Sequence, residues 1–243
     1  NRVFTQNGIA CTTASLIAAT QGFATLDEIT DDAIPAIRDA HLLLAKYNAW
    51  QPGVFALSGW DLTGMLTVPA DQVQDLIATG DTRWIERGAH DLMDAAPDAA
   101  GSAAGMPRGR ALYGSLPSQI EQPDSFLNGL ADVLTIRREG GIATATQLDV
   151  PHVAHPAMLV LVHRLDDGDH TDEDARIQVT VLNFSGEAIE GTVHSEALQT
   201  QCDVIDAATG DSIGHVDDLQ SFSVSLPPYG GLFLTLEPIA DEG

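Results

Sequence analysis

The sequence predicts an α/β part followed by an all-β part, with the change near residue 141. Three observations carry this. Residues 31–48 repeat apolar side chains at helical spacing and feed a short apolar run over 53–58, the order of an α/β unit. Residues 124–139 form a second helical pattern that stops at Gly140-Gly141. Beyond that point only short apolar stretches remain, separated by Gly, Asp and Pro turns.

The elements follow in order. Thr13–Thr20 reads as a short helix, with Thr12 or Thr13 as its cap. In the helix predicted over 31–48, Ile34, Ile37, Ala40, His41, Leu44 and Ala45 share the apolar face. Pro35 is tolerated in the first turn and Asp32 suits the positive end of the helix dipole. Pro52-Gly53 resets the chain, and "VFALS" has the length and composition of a fully buried strand. A short helix over 71–78 turns Val73, Leu76 and Ile77 inward, and "APDAAGSAAGMPRGR" is an exposed loop. The helix over 124–139 keeps Phe126, Leu127, Leu130, Val133, Leu134 and Arg137 in phase, with Asp124 or Ser125 at its cap. "MLVLVHRL", "RIQVTVLNFS", "AIEGTVH", "CDVIDAATGD", "QSFSVSLPP" and "GGLFLTLEP" are strands of an antiparallel sandwich. Two domains result, 1–140 and 141–243.

Charge sets the excluded partners. The 243 residues hold 35 Asp and Glu against 11 Lys and Arg, a formal net charge of −24, and Lys46 is the single lysine. Such a surface repels nucleic acid and anionic lipid. No run approaches the ~18 apolar residues of a membrane span, and no basic-then-apolar leader opens the chain. Cys11 and Cys202 have no framework spacing, so two free thiols in a reducing cytoplasm are expected. The chain begins with Asn1, which leads us to expect a processed protein or a piece of a longer one.

Several motifs were weighed for chemistry. The acidic run "DDGDHTDED", 166–174, lacks the Gly and Glu positions of an EF-hand and reads as a solvated hairpin loop. His152, His155 and His163 lack the spacing and supporting ligands of a zinc site. Asn183-Phe184-Ser185 fits a glycosylation acceptor but falls inside a strand. No phosphate loop, dinucleotide fingerprint, nucleophile elbow or zinc-protease motif occurs. What remains is Gly59-Trp60-Asp61 at the end of the apolar run, where α/β folds bind ligands, followed by Arg83, Trp84 and Arg87. Trp offers a flat apolar face to a sugar ring, and Asp and Arg can hydrogen-bond its hydroxyls. The competing reading is structural: Trp60 plugs the end of a barrel and Asp61 caps the next segment.

The stretches "FTQNGIACTTASLIAATQG", "HLLLAKYNAWQPGVFALSGWDLTGML", "GDTRWIERGAHDLMD", "AGMPRGRALYGSLPSQIEQPDSF" and "LPPYGGLFLTL" together resemble the C-terminal part of bacterial trehalose synthases. These are maltose α-D-glucosyltransferases of the α-amylase family, glycoside hydrolase family 13. The resemblance covers essentially the whole chain. It implies that 1–140 is the end of a (β/α)8 barrel, with 53–58 as the eighth strand and 124–139 as the eighth helix, and that 142–238 is the β-sandwich C-domain. It implies that the family's nucleophile, acid/base and third carboxylate all precede residue 1, so no residue here is expected to be catalytic. Trp60, Asp61, Arg83 and Trp84 would line the sugar site. The implied partners are maltose- or trehalose-type sugars and the preceding barrel of the same protein. No cofactor or metal is expected in this chain, calcium belonging if anywhere to the missing part, and the oligomeric state stays open. The alternatives are another enzyme of the family, such as a glucosidase or sucrose isomerase, and a non-catalytic carbohydrate-binding module.

The excess of Asp and near absence of Lys fit either adaptation to high salt or an ordinary acidic enzyme. Adaptation predicts a melting temperature that rises between low and molar salt, as screening relieves self-repulsion. Thermal unfolding followed by circular dichroism distinguishes the two, since a flat salt profile rules the adaptation out.

Overall fold

The computed structural model describes residues 11–165 and 176–239. The acidic run 166–174 and the first residues of the stretch "FTQNGIACTTASLIAATQG" lie outside them. The chain divides into two compact units, Asn1–Leu42 with Ala56–Ala131, and Leu43–Phe55 with Asp132–Gly243. The division runs through two helices, α2 (Ile34–Ala49) and α5 (Phe126–Gly140).

The first unit is helical and loop-rich. Helix α1 (Thr13–Thr20) is capped by Thr12, whose hydroxyl accepts from the Ser15 amide at 3.3 Å. The Ser15 hydroxyl in turn accepts from the Thr67 amide at 3.0 Å, tying α1 to the chain after the Gly59–Thr63 turn. The α2 residues Ile37, Ala40 and His41 are buried, as the helical spacing predicts. A 3-10 turn over Ala70–Val73 runs into α3 (Gln74–Ile77), where Val73 joins Val68 and Ile85 in a small apolar cluster. Helix α4 (Leu116–Ile120), which the apolar pattern does not announce, places Gln119 in the interior. Its amide donates to the carbonyls of Leu62 and Gly114, and its carbonyl oxygen accepts from the Leu127 amide. Ser125 caps α5 by accepting from the Asn128 amide.

The strand expected over 53–58 is not formed among the described residues. The segment carries no regular secondary structure, pairs with no strand among the described residues, and Val54 is 93% exposed. A parallel strand satisfies its backbone only against neighbours, and the described residues contain none for it.

The second unit is a β-sandwich with a helical layer. Strands β1 (Thr146–Asp149), β2 (Met158–Leu165), β3 (Arg176–Asn183), β5 (Cys202–Asp206), β6 (Ser212–His215) and β8 (Gly231–Pro238) form one antiparallel sheet in the order β1-β2-β3-β8-β5-β6. β4 (Ile189–His194) and β7 (Ser221–Leu226) form a second, two-stranded sheet. Val160, Val162, Val179 and Val181 of the large sheet pack with Val193, Phe222 and Val224 of the small one. The strands predicted beyond residue 141 are present. β1 and β6 are additional, short and largely exposed at the two edges of the large sheet, each beside a break in register.

The other face of the large sheet meets Trp50 and the second half of α5. Trp50 is 2% exposed; its ring stands edge-on to Phe233 at 5.7 Å and its indole N–H donates to the Val133 carbonyl. Arg137 donates to the carbonyls of Ala49, Gln51 and Gly53, which holds the turn that leaves α2. Asn183 is buried, with its amide donating to the carbonyls of Glu187 and Pro227, so the glycosylation motif serves structure.

Beneath β3 runs a polar chain. Gln178 donates through Nε2 to Thr180 Oγ1, and Thr180 donates to the Trp50 carbonyl. Gln178 Oε1 therefore accepts from His163 Nδ1 at 2.8 Å, and the ring proton sits there. His163 Nε2 is buried with no partner. Burial lowers the His163 pKa below its usual value, the Gln178 bond opposing it. Because the folded pKa is depressed, the neutral ring's contribution to stability is complete above about pH 6.5. It is lost as pH falls from there through the folded value. Urea unfolding midpoints at pH 7 and pH 5 are expected to drop further for the parent than for His163→Leu. Equal drops would show that His163 is not the group responsible.

Candidate functional site

The Gly59-Trp60-Asp61 triplet forms the head of a 3-10 turn, Gly59–Thr63. Ser58 and Asp61 close it as a capping box, with Asp61 Oδ2 accepting from the Ser58 amide at 3.1 Å. Gly64 ends it in the left-handed region at φ 60°, donating to the Asp61 carbonyl. The two large groups of the triplet diverge. Asp61 points inward and is 6% exposed. Trp60 is half-buried, and its indole N–H bonds no group among the described residues.

Asp61 turns toward a buried cluster that the sequence does not announce. Asp61 Oδ1 lies 3.5 Å from Nε2 of His41, within ion-pair range but beyond a well-formed hydrogen bond. Neither atom has another partner. His41 Nδ1 is 3.1 Å from the Tyr113 hydroxyl. Phe126 flanks both rings, stacked on Tyr113 at 5.2 Å and 4.6 Å from His41. Burial, followed by the Asp61 charge, pushes the Tyr113 phenol well above its usual pKa, so it keeps its proton. Tyr113 also lies against Gly64, where a Cβ would come within 2.5 Å of its ring.

Arg83 and Trp84 stand on a second 3-10 turn, Thr82–Glu86. Asp81 caps it by accepting from the Arg83 amide, and also takes the Arg83 guanidinium at 2.8 and 2.9 Å. These bonds, the Arg83 side chain first, hold the Asp81 carboxyl at about 2. Trp84 is half-buried against the Val68–Val73–Ile85 cluster, with the Arg87 guanidinium 4.8 Å from its ring centre. No hydrogen bond, ion pair or ring contact among the described residues joins this turn to Trp60 or Asp61.

A third element comes closer. His90, exposed and without a hydrogen-bond partner among the described residues, has its Nε2 3.5 Å from where a Cβ on Gly59 would sit. The loop carrying it is braced by Asp91. The Asp91 carboxylate accepts from the amides of Ala96, Ala95 and Met93, which lowers its pKa, and Arg108 donates to the Ala96 and Pro97 carbonyls. Cavities of about 480 and 760 Å³ open on this loop, and His90 lines both. No group of three or more metal-ligating side chains occurs among the described residues, and no helix there is long and apolar enough to cross a membrane. Both cysteines are free, their thiols pushed up by burial.

No protein-family model matches the chain, and no curated protein matches it. Solved structures match its fold. An isomaltulose synthase from Erwinia rhapontici NX5 superposes with a TM-score of 0.57 at 17% identity, over 82% of this chain and 38% of its own. A trehalulose synthase from Pseudomonas mesoacidophila MX-45 gives 0.56 at 14% identity, over 82% and 38%. An alpha-amylase from Geobacillus thermoleovorans, complexed with acarbose, gives 0.52 at 11% identity, over 84% and 34%. The chain has the fold of part of these enzymes. The chain spans 38% of the length of the first of them.

Gly64 is constrained twice, by its left-handed φ and by the Tyr113 ring. Gly64→Ala is expected to destabilise the protein by about 2–4 kcal/mol, from backbone strain and overpacking together. Adding Tyr113→Leu to it should recover the packing part. Chemical denaturation of the two variants measures both, and a wild-type midpoint for Gly64→Ala would contradict the geometry.

Proposed function

We propose that this chain is the C-terminal part of a glucosyl-transferring enzyme of the α-amylase family that interconverts maltose and trehalose. The observation that carries the reading is the shared fold with sugar-isomerising synthases over most of this chain and little more than a third of theirs. The "QPGVFALSGWDL" and "GDTRWIERG" segments, which resemble the trehalose synthase branch, favour maltose and trehalose within that class.

In this reading the chemistry is a double displacement with retention, run by two carboxylates outside this chain. This chain supplies part of the wall. Trp60 stacks on a sugar ring and offers its indole N–H to a hydroxyl. Asp61 holds the turn from behind. Arg83 and Trp84 add a second polar and aromatic surface, with the guanidinium already oriented by Asp81.

A sucrose isomerase is the second reading, favoured by the names of the structural neighbours. Product analysis of the full-length enzyme on maltose and on sucrose decides: trehalose from maltose supports the first, isomaltulose or trehalulose from sucrose the second. Trp60→Ala and Arg83→Ala in that enzyme are each expected to lower kcat/KM about 10- to 100-fold with the unfolding temperature unchanged. Unaltered kinetics in both variants would remove these residues from the site.

A further inference from the structure

We propose that His41 and Tyr113 are positioning residues, forming with Asp61 a buried relay that sets the turn presenting Gly59 and Trp60.

Directionality follows from the hydrogen-bond inventory. The Tyr113 hydroxyl has one partner among the described residues, His41 Nδ1. Were Nδ1 the donor, the phenol proton would have no acceptor and the Nε2 lone pair would face the Asp61 carboxylate, so the phenol donates to Nδ1 and the imidazole proton lies on Nε2. That N–H faces Asp61 Oδ1 and nothing else. The other carboxylate oxygen is taken by the Ser58 amide, one residue before the turn. Each member therefore has its donor or acceptor committed, and the chain of commitments ends on the backbone that carries Trp60.

A core filler would not show this arrangement. His41 is 1% exposed and Asp61 6%, a buried polar atom left without a partner is costly, and each orphan atom has the other, 3.5 Å away, as its neighbour of opposite character. The aromatic faces of Phe126 and Tyr113 leave the imidazole little freedom to tilt. Trp60 directly precedes Asp61 inside the Ser58–Asp61 capping box, so a displaced Asp61 carries Trp60 with it. The consequence for sugar binding rests on the reading of Trp60 given above; the positioning itself does not.

The test uses the chain labelled with 5-fluorotryptophan, whose three fluorine lines come from Trp50, Trp60 and Trp84. His41→Ala is expected to shift or split the Trp60 line and leave the other two in place. His41→Gln, whose amide can accept from Tyr113 and donate to Asp61, is expected to restore it. Long-range proton–nitrogen spectra of the imidazole are expected to show Nε2 protonated in the parent and a tautomer mixture in Tyr113→Phe. An unmoved Trp60 line in folded His41→Ala, or a parent His41 protonated on Nδ1, overturns the proposal. If His41→Ala fails to fold, Tyr113→Phe decides in its place: a Trp60 line that stays put overturns the relay. Titration with maltose is read separately. In the full-length enzyme, with its Trp60 line assigned by Trp60→Phe, a line silent to maltose counts against the sugar reading and leaves the relay standing.

Discussion

Trp50 is the point on which the sandwich unit depends. A strand of the large sheet has two faces, and only one can be covered by the small sheet. The other needs a large apolar body that also accepts and donates hydrogen bonds, because β3 brings Gln178 and Thr180 to that side. Trp50 meets both demands. Its ring edge covers Phe233, its indole N–H reaches the Val133 carbonyl, and its own carbonyl ends the polar chain from His163. Removing such a side chain costs about 3–5 kcal/mol in a typical core, and here it would also leave the Val133 carbonyl without the indole N–H.

The arginines explain how so acidic a chain can hold its loops. Among the described residues Arg108, Arg110 and Arg137 each donate to main-chain carbonyls that no helix or sheet satisfies. Arg38, Arg83 and Arg138 pair with a neighbouring Asp or Glu. Much of the scarce positive charge is thus committed to local structure, and little is left to offset the 35 acidic residues of the chain.

Periodicity carried the helices and most strands because burial is on one face. Ile37, Ala40 and His41 in α2, and Phe126, Leu130 and Val133 in α5, are buried where the spacing puts them. The edge strands β1 and β6 escaped because they bury almost nothing, so no apolar rhythm marks them. Residues 53–58 misled for the opposite reason: their rhythm is that of a strand, but a strand is a property of its neighbours. At the site, residue types pointed to Trp60 and Asp61 but not to their directions. The Tyr113–His41 contact spans 72 residues and leaves no local signal beyond a histidine on an apolar stripe. His90 lay within a segment already singled out, yet its approach to Gly59 depends on a loop path that spacing does not encode.

The margins of the large sheet have a further consequence. Adding a strand to a sheet requires a long, straight row of open amides and carbonyls. This sheet ends on both sides in a strand of four residues, and each lies beside a slip in register. Each margin is thus a poor template for another chain, and recognition along it is favoured through side chains over lending of the backbone.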